Sequence, residues 1–347
     1  MWWTGDNVDL RGSIQSMVDS GLHHLKPYVH SDCGGDYRKD AGDLLRWTAH
    51  CTFGTILRFH GEDHRPWGYD DHALQTIKSY LQVRYRLIPS LIAAGHEAAL
   101  TGFPLVARGD LFWPQYPEAK SNDQYIHLRD TLVAPIWDST ANSTSRSVWV
   151  PPGEWQDAWD GKVVVGPSVI VATQPYERLP MWHRRGGLMI MVDDGKLRVD
   201  SQDWSTLTLQ TFPDFSSSSV STRSVYSQSQ IASVSSDKLH TGLTMTTTPV
   251  TNTTGTVTID ITASNDKVSR GWIVRTHLLL PIQRVTRALL DGIDIKVIHI
   301  AASDSSMLRT PPAFGVTGTA PAVGNVAETM ITSSSQARRI VFTVSEN

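Results

Sequence analysis

The sequence has few cysteines, no long apolar run and little net charge, and each shortage excludes a class of protein. No stretch approaches the ~20 apolar residues of a membrane-spanning helix, so we expect no membrane span. Two cysteines, Cys33 and Cys51, are too few for a disulfide scaffold or a four-thiolate zinc site. The 31 basic and 34 acidic residues give a net charge of −3, which does not indicate a nucleic-acid partner.

Tryptophan and histidine, by contrast, are abundant. The chain has 12 tryptophans and 13 histidines, and nine of each precede residue 160, so we expect its chemistry in that part. Hydrophobic residues at 40% and charged residues at 19% are typical of globular proteins. A length of 347 residues is too great for one ordinary core and predicts two or three domains.

The first 103 residues alternate short apolar stretches with amphipathic helical patterns. Helices are predicted over about 8–20, 40–51 and 70–99, and strands over 26–30 and 55–59. Strands that alternate with helices are typical of parallel α/β architecture. A complete (β/α)8 barrel needs ~250 residues. This part is therefore predicted to supply about the last three β/α units of such a barrel.

From residue 104 onward the pattern becomes short strands between glycine, proline and asparagine turns. This predicts a proximal β-sandwich over 104–191. Residues 201–260 then contain 27 serines or threonines, yet alternating stretches still predict strands. The predicted fold class is therefore α/β plus all-β. Its domains are a partial barrel over 1–103 and two β-sandwich domains over 104–191 and 192–347.

Polar side chains follow successive predicted strands. Asp6, Asp32 and His60 each come at a predicted strand end, where parallel α/β folds build their active sites. Each residue alone is also a typical helix cap or turn residue. Three tryptophans lie close by in the sequence: Trp3, Trp47 and Trp67. Sugars stack on aromatic rings and form hydrogen bonds with carboxylates, so the combined pattern favours a sugar site.

Beyond these residues, the chain carries a long series of ordered motifs. Those of the first part are Trp3-Thr4-Gly5-Asp6-Asn7, Asp32-Cys33-Gly34-Gly35, Arg46-Trp47, Arg58-Phe59-His60, Pro66-Trp67 and Arg84-Tyr85-Arg86-Leu87-Ile88-Pro89. Later ones include Leu132-Val133-Ala134-Pro135, Val150-Pro151-Pro152-Gly153-Glu154-Trp155 and Leu179-Pro180-Met181-Trp182-His183-Arg184-Arg185-Gly186-Gly187. Over about 190 residues this series resembles glycoside hydrolase family 31, the α-glucosidase and α-xylosidase group.

The resemblance implies a retaining α-glycosidase that uses neither a metal nor an organic cofactor. Its substrate would be an α-glycoside or oligosaccharide. Asp6 matches the general acid/base of the family, whereas Asp32 and His60 match residues that hold sugar hydroxyls. Arg58 would orient this polar cluster, or would form a plain salt bridge with a strand-end carboxylate. The predicted substrate-binding residues are Trp3, Trp47, Asp32, Arg58 and His60.

The family's nucleophile lies in a Trp-x-Asp-Met-Asn-Glu type of motif, which this sequence does not contain. Retaining hydrolysis needs two carboxyl groups. We therefore expect the chain to be a C-terminal portion that begins within the catalytic barrel, lacks activity alone and requires the N-terminal barrel half. The alternative is a truncated, non-catalytic carbohydrate-binding or scaffold protein.

Several weaker signals remain open at this stage. The resemblance implies an occasional cysteine pairing, so a bond between Cys33 and Cys51 is an alternative to two free thiols. The pair His23-His24, with His30, lacks a further ligand at suitable spacing and is more typical of surface and core histidines than of a metal site. The sequence does not specify a compartment. Asn142 and Asn252 begin tripeptides that accept glycans only in a secretory or extracellular setting.

Overall fold

The structure is a computed structural model, and it describes most of the chain. The described residues are 2–5, 9–36, 40–61, 64–137, 144–227, 240–251, 254–262, 268–278, 283–300, 326–334 and 336–346. Within these ranges four α-helices lie in the first 101 residues, and β-strands dominate the rest. The predicted order, helices and parallel strands followed by β domains, is confirmed at this level. No helix in the described ranges combines the length and hydropathy needed to cross a bilayer.

The α/β part alternates strands and helices. Its elements are β1 (Trp2–Trp3), α1 (Leu10–His23), β2 (Val29–His30), α2 (Ala41–Thr52), α3 (Asp71–Arg86) and α4 (Ile88–Thr101). β1 pairs with β2 in parallel, with Trp3 opposite His30. Cys33 forms a parallel bridge with Phe59, and this single bridge replaces the strand predicted over 55–59. Three chain segments therefore run side by side in one direction.

The prediction of a single long helix over 70–99 is wrong, because the structure has two helices there. α3 ends at Arg86, Leu87 caps it, and α4 begins at Ile88 with Pro89 in its first turn. Proline has no N–H, and its ring clashes with the carbonyl four residues earlier in a continuous helix. The first turn of a new helix tolerates proline. The helix therefore stops and restarts at this point.

The segment after α4 forms a six-stranded antiparallel sheet. Its strands are β3 (Val106–Ala107), β4 (Tyr125–His127), β5 (Thr131–Val133), β6 (Ser145–Asp157), β7 (Val163–Thr173) and β8 (Met181–Arg184). Their order across the sheet is β3-β4-β5-β8-β6-β7. Trp155 of β6 packs with Ile126, Leu132 and Trp182 in a hydrophobic core that belongs to this sheet.

The distal part contains two further sheets. Its strands are β9 (Gly187–Met191), β10 (Thr206–Phe212), β11 (Ser219–Tyr226), β12 (His240–Thr251), β13 (Thr254–Ile261), β14 (Arg270–His277), β15 (Gln283–Leu290), β16 (Ile293–Asp294), β17 (Ile298–Ile300), β18 (Val326–Ser334) and β19 (Arg338–Glu346). One sheet has the order β17-β18-β14-β10-β9, and the other has the order β11-β12-β13-β19-β15-β16. Leu209 and Trp272 of the first share one core with Met245 and Phe342 of the second. The two sheets therefore pack face to face.

Hydrogen bonds fix the helices of the α/β part to the distal sheets. The hydroxyl of Ser90 on α4 donates to the carbonyl of Ile190 (2.7 Å) and accepts from its N–H (3.0 Å). The N–H of Val192 donates to the carbonyl of Arg86 at the end of α3 (3.0 Å). The side-chain amide of Gln202 donates to the carbonyl of Tyr85 (2.9 Å). The helix pair is thus anchored along the first distal strand.

Four buried histidines make the stability of this fold depend on pH. Burial lowers the pKa of His50 and of His127 to about 3, and that of His183 to about 4. Burial also brings the pKa of His277 well below its ordinary value. In an unfolded chain each imidazole titrates near ~6.5. The unfolded state therefore binds more protons below that pH, and stability falls as the pH drops from about 6.5 towards 4.

We expect the free energy of unfolding to fall by about 1.4 kcal/mol per buried histidine for each pH unit below ~6.5. Burial raises the pKa of Asp157 to about 6. Protonation of this one carboxyl group therefore favours the folded state as the pH falls, and it partly offsets the loss caused by the histidines. Denaturant titrations at pH 7.5 and 5.5 measure the slope. Neither ring nitrogen of His127 has a hydrogen-bond partner among the described residues. His127→Phe should therefore reduce the pH slope of the unfolding free energy by the contribution of one histidine. His24→Phe, at an exposed position, is the control, and an unchanged slope in His127→Phe would contradict the assignment.

Candidate active-site edge

The ends of three parallel segments lie next to one another at one edge of the α/β part. Beyond the pair formed by Trp3 and His30, the N–H of Thr4 donates to the carbonyl of His30 (2.9 Å). The N–H of Cys33 donates to the carbonyl of Arg58 (2.6 Å), and the N–H of His60 donates to the carbonyl of Cys33 (3.1 Å). This pairing brings Trp3, Asp32, Arg58 and His60, which are far apart in sequence, to the same edge.

Asp32 is the buried carboxylate of this edge, and its side chain is 2% exposed. Its Oδ1 lies 3.3 Å from Nδ1 of His30, and its Oδ2 lies 3.4 Å from a terminal nitrogen of Arg58. Oδ1 makes no hydrogen bond within the described part of the chain. A buried carboxylate normally has its acceptor sites filled. Asp32 therefore retains the capacity to accept a hydrogen bond from a hydroxyl group.

Arg58 and Asp32 differ sharply in exposure. The side chain of Arg58 is 62% exposed, so solvent screens much of its attraction to the carboxylate. Its guanidinium nevertheless supplies positive charge on the open side of Asp32, whereas His30, 5% exposed, stands on the buried side. The carboxylate is thus held between an imidazole and a guanidinium. This contact agrees with both sequence interpretations of Arg58, as an orienting residue and as an ion-pair partner.

His64 is a neighbour of this edge to which sequence reasoning assigned no role. It is completely buried, and its ring meets that of His60 edge to face with centroids 6.0 Å apart. A Cβ atom built on Gly34 would lie 2.5 Å from Cδ2 of His64. The imidazole therefore occupies the space above Gly34. The consecutive glycines Gly34 and Gly35 were the available signal, because such a pair marks a close approach by another group.

We expect Gly34→Ala to lower the free energy of unfolding by about 2–4 kcal/mol and to disorder the edge. Gly34 has a φ of 100°, which disfavours alanine, and the new methyl group would collide with His64. Gly153→Ala is the matched control. Its φ is 107°, and its Cβ would have nothing within 4 Å. Denaturant unfolding of both variants separates the collision from the backbone strain. Equal losses in the two variants would contradict a role for His64.

The tryptophans of the α/β part divide into exposed and buried groups. Trp3 is 51% exposed, and Trp67 is 71% exposed. Trp47 lies in the buried part of α2 and belongs to the same core cluster as Phe53 and Tyr80. Trp47, which the sequence predicts to bind substrate, is thus placed among core side chains. Trp3 keeps the exposure that a sugar-stacking residue needs.

Two further sequence predictions concern Asp6 and the cysteines. Asp6, the predicted acid/base, lies outside the described residues. Cys33 and Cys51 are both buried, and both are free thiols rather than a disulfide. Burial, together with a contact to Cys51, raises the pKa of the Cys33 thiol well above its ordinary value. The Cys33 thiol is therefore a protonated core group.

The described part of the chain contains no group of three histidine, cysteine, aspartate or glutamate side chains that could hold a metal ion. The described groups at the edge are a buried carboxylate, imidazoles, a guanidinium and an exposed indole. These groups can hold a neutral polyhydroxyl ligand through its hydroxyl groups and stack on its ring.

Family models match the first half of the chain. The TIM-barrel domain of glycosyl hydrolases family 31 matches residues 1–94. The C-terminal domain of glycosyl hydrolase family 31 matches residues 104–189. Together these two matches, to one family and in the family's order, cover more than half of the chain.

Relatives of known activity agree with these matches. The chain is 29% identical over 204 residues to α-glucosidase 2 of Bacillus thermoamyloliquefaciens, across 55% of this chain and 25% of that protein. It is 26% identical over 214 residues to an α-glucosidase of Saccharolobus solfataricus, across 55% of this chain and 29% of that protein. The chain thus spans between a quarter and a third of the length of these relatives.

A solved structure shows the same fold. The chain resembles the family 31 dextranase of Flavobacterium johnsoniae, solved with isomaltotriose, with a TM-score of 0.75 at 18% identity. The likeness covers 99% of this chain and 44% of the dextranase. It therefore includes both the α/β part and the β domains.

Proposed function

Because this chain belongs to glycosyl hydrolase family 31, we propose that it is the C-terminal portion of a retaining α-glycosidase acting on α-linked glucosides or related sugars. In this proposal residues 1–103 supply the last three β/α units of the catalytic barrel, and two β-sandwich domains follow. The observation that carries it is the strand-end edge, where buried Asp32 stands between His30 and Arg58 beside an exposed Trp3. The substrate is an α-glycoside or oligosaccharide.

Each residue of the edge has a role in sugar binding. Asp32 accepts hydrogen bonds from sugar hydroxyls through the acceptor capacity that the described residues leave unfilled. Arg58 orients that carboxylate, and His60, beside His64, contacts a neighbouring hydroxyl. Trp3 forms an aromatic wall against the apolar face of the ring. This subsite places the anomeric carbon for reaction.

Asp6 is the general acid/base in this proposal. It protonates the departing glycosidic oxygen while a second carboxylate attacks the anomeric carbon, and it later removes a proton from the water that releases the sugar. The two carboxyl groups of a retaining enzyme stand ~5–5.5 Å apart. No motif of this chain supplies the attacking carboxylate, so the chain alone is expected to bind sugar without cleaving it.

Release of nitrophenol from 4-nitrophenyl α-glucoside tests the proposal. The 347-residue chain should give no turnover, whereas a form extended at its N-terminus by preceding barrel strands should give turnover. Turnover by the chain alone would show that it holds its own nucleophile. Sugar binding without turnover in the extended form would instead support a non-catalytic carbohydrate-binding protein.

A further inference from the structure

A cavity of about 290 Å³ lies where α4 meets the two β domains. Its walls come from α4, the turn Leu128–Thr131, β9 and β11, and it shares no residue with the strand-end edge. No role in the proposed reaction accounts for it. Pockets that bind small molecules commonly occur at such domain junctions.

Part of the cavity wall is apolar. Ala93 and Ala94 of α4 face it together with the buried side chains of Leu105 and Leu188. The small alanine side chains leave the space open, since larger residues on this helix face would fill it. These four apolar side chains can receive the apolar face of a small ring.

Two ion pairs also line the cavity. The guanidinium of Arg129 donates to the two carboxylate oxygens of Glu97 at 3.0 and 2.5 Å. Arg223 donates to Asp130, which also accepts from Arg184 at 2.6 Å. Because each cation that lines the cavity is paired with a carboxylate, the cavity offers many donors and acceptors but little net charge. An anionic or cationic ligand would find no unpaired partner in these two pairs.

The turn that bears Arg129 is strained. Leu128 has a φ of 50° and Arg129 a φ of 71°, and consecutive non-glycine residues rarely adopt left-handed conformations. The N–H of Leu128 donates to the carbonyl of Leu105 (2.9 Å), which helps to hold the turn. Strained backbone of this kind is concentrated at binding and catalytic sites. Arg129, which this turn bears, forms the ion pair with Glu97.

The ring nitrogen Nδ1 of His240 adds an unfilled polar position to the cavity wall. His240 lines the cavity, and its Nδ1 is buried without a hydrogen-bond partner among the described residues. A buried polar atom of this kind is usually satisfied by protein, water or a ligand. The cavity therefore combines an apolar face, paired charges and one open hydrogen-bonding position.

We propose that this cavity is an accessory binding site for one neutral sugar ring of the saccharide substrate or product. A pyranose has an apolar C–H face, which suits the alanine side, and hydroxyl groups, which suit the Glu97–Arg129 and Asp130–Arg223 pairs. The identity of the ligand class rests on the proposed function, whereas the cavity itself does not. Such a site would hold a saccharide on the β domains, separately from the edge at which it is cleaved.

Binding of maltose to the full 347-residue chain, measured by saturation-transfer NMR and by titration calorimetry, tests the proposal. Ala94→Phe should fill the cavity and weaken the accessory site at least tenfold. Glu97→Gln keeps the shape but weakens the ion pair with Arg129, and it should weaken the site about fivefold. Ala99→Phe is the matched control, since Ala99 is exposed on the same helix outside the cavity, and it should bind as the parent chain does.

Asp32→Asn distinguishes the accessory site from the strand-end edge. If the cavity binds sugar, Asp32→Asn retains the binding that Ala94→Phe removes, whether or not the proposed reaction is correct. If Ala94→Phe and Glu97→Gln leave maltose binding unchanged, the proposal that the cavity binds sugar is wrong. This holds even if turnover by the extended form supports the proposed function. Absence of maltose binding by the parent chain would overturn it as well. Circular dichroism confirms that each variant is folded.

Discussion

Replacing Asp193 with alanine is expected to lower the free energy of unfolding by about 3–5 kcal/mol, because it removes the shared partner of two buried arginines. Asp193 Oδ1 accepts from Arg86 at the end of α3 (2.6 Å), and Oδ2 accepts from Arg275 on β14 (2.7 Å). The hydroxyl of Thr208 also donates to Oδ2 (3.0 Å). The side chains of Arg86 and Arg275 are only 10% and 8% exposed.

The electrostatics of this cluster support so large an effect. Burial by itself would raise the pKa of Asp193, but Arg86 and Arg275 outweigh it and hold that pKa below its ordinary value. The carboxylate is therefore ionised at neutral pH. Arg275 keeps a second acceptor, Glu328, at 2.7 Å.

Denaturant unfolding at pH 7 measures the effect, and Asp200→Ala is the matched control. Asp200 pairs with Arg198 at 2.6 Å, but both side chains are more than 60% exposed. Exposed pairs contribute about 0–1 kcal/mol. Asp193→Asn, which keeps the shape and part of the hydrogen bonding, should fall between the two alanine variants. A loss in Asp193→Ala no greater than that in Asp200→Ala would show that the cluster does not stabilise the junction.

Local patterns predicted the order of the fold and missed its junctions. Amphipathic spacing located α2 to within a residue, and Asp40 caps it by accepting from the N–H of Asp43 (2.8 Å). The break before Pro89 was missed because the apolar spacing continues through it. The cluster around Asp193 joins residues more than 80 positions apart in sequence, so no local pattern could reveal it.

The site shows the same division between local and long-range information. Asp32 and His60 were predicted to lie close together because parallel strand ends meet at one edge, and the structure places both there. The packing of Trp47 in the core could not be predicted, because a tryptophan near a polar motif carries no sign of its burial. His64 was left without a role because its contact with Gly34 depends on how the loop folds back, which spacing alone does not determine.

Asp6→Asn in an N-terminally extended form is expected to lower kcat by about 10²–10⁴-fold, the typical contribution of a general acid. The size of the loss should depend on the leaving group. The leaving group of a phenyl α-glucoside is a basic phenolate, which needs the proton in order to depart. The leaving group of a dinitrophenyl α-glucoside is a stable anion, which departs without it. We therefore expect a large loss with the first substrate and a much smaller loss in its bond-breaking step with the second.

Asp9→Asn is the matched control for this experiment. Asp9 lies three residues away and caps α1 by accepting from the N–H of Gly12 (2.7 Å), a role that asparagine also fills. Its kcat should therefore change little with either substrate. Rates are compared under single-turnover conditions, so that bond breaking is measured separately from release of the sugar. Equal losses with the two leaving groups would show that Asp6 positions the substrate rather than donating the proton, and the acid/base would then have to be another carboxyl group.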